Sequence, residues 1–505
     1  MSGPAPTAAP ADGLARRVWR PIGKHLPTGR LGRMAFYGSS RSVVEGLFGV
    51  RGVLLAGLLG PQLFGIWALF RLTSTYSTFI GLGLLRGLEL EVAKARAPEE
   101  AAVREAWGRT AAGCTLALFG LLALLAAGAA GVVDEPWLRE MLWAAAAGLL
   151  FERLWFYGLN YLRASGSLRG FAVLELAQAG AQVALTLGLA YLFGLTGAFA
   201  GFVLANLLAL ALLVGRVPLR PAFDPDRLRA MLSVGVPLSL TMFLGTLATT
   251  VDRFILGAML GLEALGQYAF GVSAAALGLS AAMIVRTVVF PDLYGRLGTE
   301  GAAAVNLAHL DETIRPFVLL LAPLVGAVAL TFGPLAALAL PQFVAAAQPA
   351  GVFVFTGVAH GVVSLAVLGV VAASQQRVLP LLTLGALALN AGLAFAALSL
   401  GLGLIGMAAG AVVGRLVYAS ATVMLVARAA NAAPIRTAAS TLWPIVWCAV
   451  VAASVNLWRA PTDLPTLAAA LGVYLLGVLP VLLALHRTLS AMRRGGPGGS
   501  AAPTT

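Results

Sequence analysis

Residues 51–70 read RGVLLAGLLGPQLFGIWALF, and residues 252–271 read DRFILGAMLGLEALGQYAFG. Laid on each other without a gap, they share Leu55/Leu256, Leu59/Leu260, Gly60/Gly261, Gly65/Gly266 and Ala68/Ala269, with the aromatic pair Trp67/Tyr268 in register. A second match follows at nearly the same offset, where GLTGAFAG from Gly194 lies on GLIGMAAG from Gly403. The chain holds 59 glycines, so one such match would carry little. Two ungapped matches at corresponding places instead predict a duplicated block of six membrane-crossing helices. Six is even, so the copies share one orientation and are related by an axis along the membrane normal. Two lobes around a midplane cavity follow from that geometry.

The composition agrees. The 505 residues are 59% hydrophobic and only 11% charged, where a water-soluble chain carries about 25% charged residues to solvate its surface. A soluble multidomain enzyme is excluded. Apolar runs of about 20 residues, enough to cross ~30 Å of hydrocarbon as a helix, recur along the whole length. We expect an all-α polytopic protein with fourteen spans, at about 35–58, 62–84, 108–132, 141–163, 168–193, 196–215, 230–260, 264–289, 312–333, 350–373, 378–400, 403–427, 440–458 and 465–486.

The net charge of +13 suits this arrangement. With the N-terminus inside, the inside loops and span ends hold Arg86, Lys94, Arg96, Arg104, Arg109, Arg163, Arg169, Arg216, Arg220, Arg227 and Arg229. Arg296, Arg315, Arg377, Arg428, Arg436, Arg487, Arg493 and Arg494 fall on the same side. The outside loops hold only Arg139 and Arg459, and the 131–140 loop is acidic. Such a partition is the positive-inside pattern, and it puts both termini in the cytoplasm.

The expected organisation is a basic cytoplasmic tail (1–34), an N-lobe (35–215, spans 1–6), a cytoplasmic linker (216–229), a C-lobe (230–427, spans 7–12), spans 13–14 outside the repeat (428–486) and a tail (487–505). Residues 1–34 lack the short apolar core of a signal peptide. Residues 86–109 place mixed charges at helical spacing and read as a cytoplasmic surface helix pair.

Two cysteines, Cys114 and Cys448, and four scattered histidines give neither a disulfide framework nor a metal-ligand spacing. No nucleotide-binding glycine loop is present, and no basic stripe with interleaved aromatics suggests nucleic acid. The expected outside loops are short, and the longest, about 334–349, has no charged residue on which an enzyme could rely. No cofactor is expected.

Charges inside spans are costly, about 2.5–3.5 kcal/mol each on insertion scales, and so mark function or pairing. The embedded set is Arg41, Glu45, Arg51, Arg71, Glu152, Arg153, Glu175, Asp252, Arg253, Arg286 and Arg415, seven arginines against four acids. A shared cavity would be cationic and suited to a diphosphate, whose oxygens match the guanidinium fork. We take Arg51, Arg253, Arg415 and Arg71 as candidate phosphate ligands. Arg51 and Asp252 occupy equivalent repeat positions and are expected to form a gate ion pair on the outward side. Arg41 and Glu45, four apart, are expected to pair locally. Glu152 and Arg153 lie about 100° apart on one helix, so partners on other helices are expected for each. His360 and Glu45 are candidates for a coupling ion, H+ or Na+, and Gln182 and Asn390 for sugar or helix contacts.

At these residues the sequence resembles a known family. LLGPQLFGIWALF, the turn and charged segment GLGLLRGLELEVAKA, and SVGVPLSLTMFLGTLATTVDRFILGAMLGLEALGQYAFG resemble polysaccharide flippases, the Wzx-like, O-antigen-unit branch of the multidrug/oligosaccharidyl-lipid/polysaccharide exporter superfamily. The resemblance covers about 35–427. It implies alternating access of two lobes, moving a polyprenyl-diphosphate-linked glycan across the bacterial cytoplasmic membrane for cell-surface polysaccharide synthesis. A lipid II flippase and a cation-coupled multidrug exporter of the same superfamily are the alternatives. The arginine excess disfavours the latter, whose cargo suits acidic cavities.

Overall fold

The computed structural model describes residues 30–95, 97–459 and 463–494. Side chains at 30–39 and 41–42, at 98, at 274–280, in parts of 283–299, at 459 and at 493–494 lie outside that description. Most of the expected N-terminal tail, the end of the C-terminal tail and the Arg41 side chain therefore fall outside it.

All regular structure among the described residues is helical. We number the helices α1 (Arg30–Ile80), α2 (Leu84–Lys94), α3 (Ala101–Val132), α4 (Pro136–Ala164), α5 (Leu168–Leu213), α6 (Pro225–His309) and α7 (Arg315–Ala339). The chain continues with α8 (Val344–Phe353), α9 (Phe355–Ala372), α10 (Leu379–Ser399), α11 (Gly403–Ala429), α12 (Pro434–Arg459), α13 (Leu464–Gly477) and α14 (Leu479–Arg494).

By length and apolar composition nine helices among the described residues can cross a membrane, ten when the bent pair α13–α14 counts as one. The count of fourteen expected from sequence is larger, and the difference has a physical origin. Several helices are far too long for one crossing: α5 has 46 residues and would run about 69 Å if straight. These helices are broken at glycines with non-helical backbone, Gly60 in α1, Gly194 in α5, and Gly261 and Gly301 in α6. All four have positive φ, a conformation that costs glycine almost nothing and other residues much more. Helix α4, at 29 residues, is long enough to span but carries buried Glu152 and Arg153.

The repeat has a geometric counterpart. A Cβ added to Gly65 would overlap the carbonyl oxygen of Leu262, and one added to Gly266 would overlap that of Pro61. In the ungapped register Pro61 and Leu262 are equivalent, as are Gly65 and Gly266. The second arm of α1 (61–80) and the second arm of α6 (from 262) thus cross at a point that maps onto itself under the repeat, with two glycines allowing backbone-to-backbone approach. α1, α4 and α5 pack together on one side; α6 packs with α9, α10 and α11 on the other. α12, α13 and α14 lie against α7, where Tyr474 donates to the Pro323 carbonyl oxygen at 3.0 Å.

Two segments differ from expectation. Residues 334–349, expected as an outside loop, are mostly ordered helix: α7 runs to Ala339, and α8 starts at Val344. Phe343 between them is buried and lies 5.0 Å from the Phe270 ring, while Gln342 donates to the Gly57 carbonyl oxygen at 2.8 Å. An uncharged, apolar stretch folds inward because nothing in it needs water. In 86–109, α2 is a separate amphipathic helix with Leu84, Leu88 and Val92 buried, but the later half is the start of α3.

Candidate functional site: two buried charge groups

In the N-terminal half, Arg51 is only 6% exposed. Its Nη1 donates to Gln182 Oε1 at 2.8 Å. The guanidinium lies over Phe48 at 4.7 Å and over Trp67 at 5.7 Å from the ring centroids. Its hydrogen-bond and ring partners among the described residues are neutral, so direct contacts position the cation without neutralising it. Its Nε has no hydrogen-bond partner. Sequence reasoning left Gln182 undecided between sugar and helix contacts; it holds Arg51, a tie across 131 residues that no local pattern announces.

A second group joins α1 to α4. Glu152 accepts from Ser74 Oγ at 2.6 Å, from Arg153 Nη2 at 2.6 Å and from Arg71 Nη1 at 3.4 Å. Arg153 Nη1 also donates to Thr78 Oγ1 at 2.5 Å. This corrects the expectation that Glu152 and Arg153 would not pair with each other. Both side chains swing toward the same face of α1, and the long arginine stem reaches across the roughly 100° between adjacent positions. Arg71, expected as a free phosphate ligand, is a partner of Glu152, with a third of its side chain exposed and its guanidinium 5.2 Å from the Phe202 ring centroid. Arg51 lies within electrostatic reach of this group.

The C-terminal half carries a different set. Asp252, 1% exposed, accepts from Tyr268 Oη at 2.6 Å and from the Arg253 backbone N–H at 3.0 Å. Arg415 lies within electrostatic reach of Asp252, Arg253, Tyr268 and Tyr418, and His360 within reach of Arg415. Four of the sequence candidates are therefore brought together. The buried Nε of Arg253 and Nδ1 of His360 have no hydrogen-bond partner. Asn390 ties α10 to α6 through the Ala248 carbonyl oxygen at 3.1 Å.

The expected gate ion pair between Arg51 and Asp252 is not formed in this structure. Each residue is held within its own half, Arg51 by Gln182 and the rings, Asp252 by Tyr268. The physical reason is local: Trp67 and Tyr268, equivalent in the repeat, each sit on the next arm of the same hairpin and satisfy the charge there. Glu45 is half-buried on α1, six residues before Arg51. Arg286 reaches Ser364 Oγ at 3.3 Å. No cluster of three metal-ligating side chains occurs among the described residues.

The seam between the halves is closed by Tyr76 Oη and Thr250 Oγ1, 2.5 Å apart, and by edge contacts among Tyr76, Phe79, Phe243 and Phe254. These features define a multi-pass, two-lobed helical membrane protein with buried cationic groups. Similar structures agree on the fold. A lipid II flippase, MurJ, in an inward closed conformation is 12% identical, with a TM-score of 0.64 over 90% of this chain and 99% of that one. An inward-facing multidrug resistance MATE family transporter of the MOP superfamily is 15% identical, with a TM-score of 0.60 over 83% and 96%. A MOP superfamily transporter from Pyrococcus furiosus, described as having a binding pocket of reverse polarity, is 16% identical at a TM-score of 0.51 over 81% and 94%. No curated protein matches the chain. Residues 54–297 match the family described as polysaccharide biosynthesis protein. The fold is thus the one shared by these MOP superfamily structures, and residues 54–297 carry the resemblance to the polysaccharide biosynthesis family.

Proposed function

We propose that the protein flips a polyprenyl-diphosphate-linked oligosaccharide across the bacterial cytoplasmic membrane, both termini facing the cytoplasm, by alternating access of an N-lobe (35–215) and a C-lobe (230–427). The observation that carries this reading is Arg51: a buried cation whose hydrogen-bond and ring partners among the described residues are neutral, with a donor unspent. A buried cation with neutral direct partners is costly, and an arriving diphosphate would place an anion in contact with it. Arg253 and Arg415 would receive the same diphosphate from the C-lobe. Arg71 contributes field more than direct contact, because Glu152 already engages it.

The reaction is transport, and the chain needs no catalytic group for it. His360 beside Arg415 and Glu45 in α1 remain the candidates for coupling to H+ or Na+. The test is accumulation of lipid-linked glycan on the inner leaflet of cells lacking the protein. Restoration by the unaltered chain but not by Arg51→Ala or by Arg253→Ala/Arg415→Ala is expected. No accumulation after deletion, or full restoration by both variants, overturns the reading.

A further inference from the structure

A cavity of about 750 Å³ opens between α3, α4, the second arm of α1 and the first arm of α6. Its size falls in the range of small-molecule sites, roughly 300–1,000 Å³. Phe79, Phe119, Leu142, Leu149, Phe243 and Phe254 give the wall its character. The hydroxyls in the wall are largely committed elsewhere. Thr73 donates to the Leu69 carbonyl oxygen at 3.1 Å, Ser77 to that of Ser74 at 2.7 Å, and Tyr76 is paired with Thr250. Such a wall has little to offer a sugar or a polar drug and suits hydrocarbon. The lining residues Ile80, Leu82, Leu240 and Phe254 are 40–58% exposed, so the cavity is open to the surroundings of the helices.

A cationic group lies next to the cavity, on the helices that form its wall. On α4, Leu142, Ala145 and Leu149 line it, and the same helical face continues one turn on into Arg153. There Arg153 and Arg71 share the single carboxylate of Glu152, leaving one positive charge in excess. On α1, the wall residue Ser77 lies beside Thr78, the acceptor for Arg153. A hydrocarbon slot beside a net-positive group matches a molecule whose diphosphate is joined directly to a long apolar chain.

We infer that this cavity holds the polyprenyl tail of the transported lipid, at the seam between the halves, while its head group is engaged by the buried arginines. The inference rests on the proposed function and goes beyond it in assigning the tail a site of its own.

The test uses the full chain in lipid nanodiscs and three probes: a long-chain polyprenyl diphosphate tipped with benzophenone, phosphatidylglycerol tipped in the same way, and geranyl diphosphate, which has the head but little tail. Ultraviolet crosslinks of the long-chain probe are expected within 119–126, 142–149 and 236–243. Ala126→Trp and Ala123→Trp, which fill the cavity from α3, should lower that labelling about tenfold. Geranyl diphosphate binding should be unchanged in both, which also shows that they fold. Crosslinks spread over lipid-facing helices of the unaltered chain, or labelling indifferent to both tryptophans, overturns the inference. Equal labelling of the cavity by phosphatidylglycerol overturns it too, making the slot a bilayer-lipid site. Failure of the proposed function reads differently: geranyl diphosphate then binds no better to the unaltered chain than to Arg253→Ala, whatever the crosslink map shows.

Discussion

Tyr268 donates to the buried carboxylate of Asp252 across 2.6 Å. At the equivalent positions of the other repeat, Trp67 presents its ring to Arg51 at 5.7 Å. The duplication has kept the contact and reversed its charge. An anion is held by a phenol on one side of the pseudo-axis, a cation by an indole face on the other. The two lobes thus differ in electrostatic character at matched positions.

Removing the phenol should be felt. Tyr268→Phe takes the phenol donor from the Asp252 carboxylate and leaves the Arg253 backbone N–H, and hydrogen bonds to charged groups contribute about 1.5–3 kcal/mol. Thermal unfolding in detergent should show a clear loss of stability, larger than for Tyr418→Phe on the same lobe. Equal losses would remove the pair from the account.

The charge swap separates holding from gating. Arg51→Glu should abolish transport, and adding Asp252→Arg should not restore it, because neither residue is the other's partner here. Recovery of lipid-linked glycan export in the double variant would show that the two do meet at another stage of the cycle. Arg51→Lys should also fail, since an ammonium keeps the charge but loses the planar fork and the stacking on Phe48 and Trp67.

Glu152 stands between two arginines. Breaking a buried ion pair by removing one partner costs about 3–5 kcal/mol, because the other charge is left unpaired. Glu152→Gln should therefore reduce the yield of folded protein in the membrane, and adding Arg153→Met should recover part of it. Size-exclusion profiles of a fluorescent fusion would read this. No recovery in the double variant would point to Ser74 and Arg71 as the partners that matter.

The crossing glycines should behave alike. Gly65→Ala and Gly266→Ala each push a methyl into a carbonyl across the axis and should impair transport to a similar degree. Gly257→Ala, whose added Cβ would meet only Leu265 at 3.5 Å, should be tolerated. A helical glycine replaced by alanine without a clash is stabilising by roughly 0.5–1 kcal/mol. A mild Gly65→Ala beside a severe Gly266→Ala would mean that the two arms do not share the load across the axis.

Much of the architecture was legible in the sequence. Apolar runs alternating with arginine-rich loops, and a gapless repeat, are properties of the chain order, and burial in lipid or protein depends mainly on that order. The glycine breaks at Gly60, Gly194 and Gly261 fell where the matched turns predicted, since backbone strain is decided by the residue itself. The inward folding of 334–349 was not legible, because an uncharged stretch suits either a short loop or a buried helix end. The residue types of the site were legible for the same reason as the spans: each charge in an apolar run carries a cost that demands an explanation.

Which charge meets which partner was decided only by the fold. Gln182 reaches Arg51 from 131 residues away, Ser74 reaches Glu152 from 78, and the adjacent Glu152 and Arg153 pair because both turn toward α1. The seam between Tyr76 and Thr250, and the apolar slot beside it, arise where distant helices approach. Sequence determines how often a charge enters the membrane and on which helix. The geometry between helices, set by packing of the whole chain, determines whether that charge is neutralised or kept for a ligand.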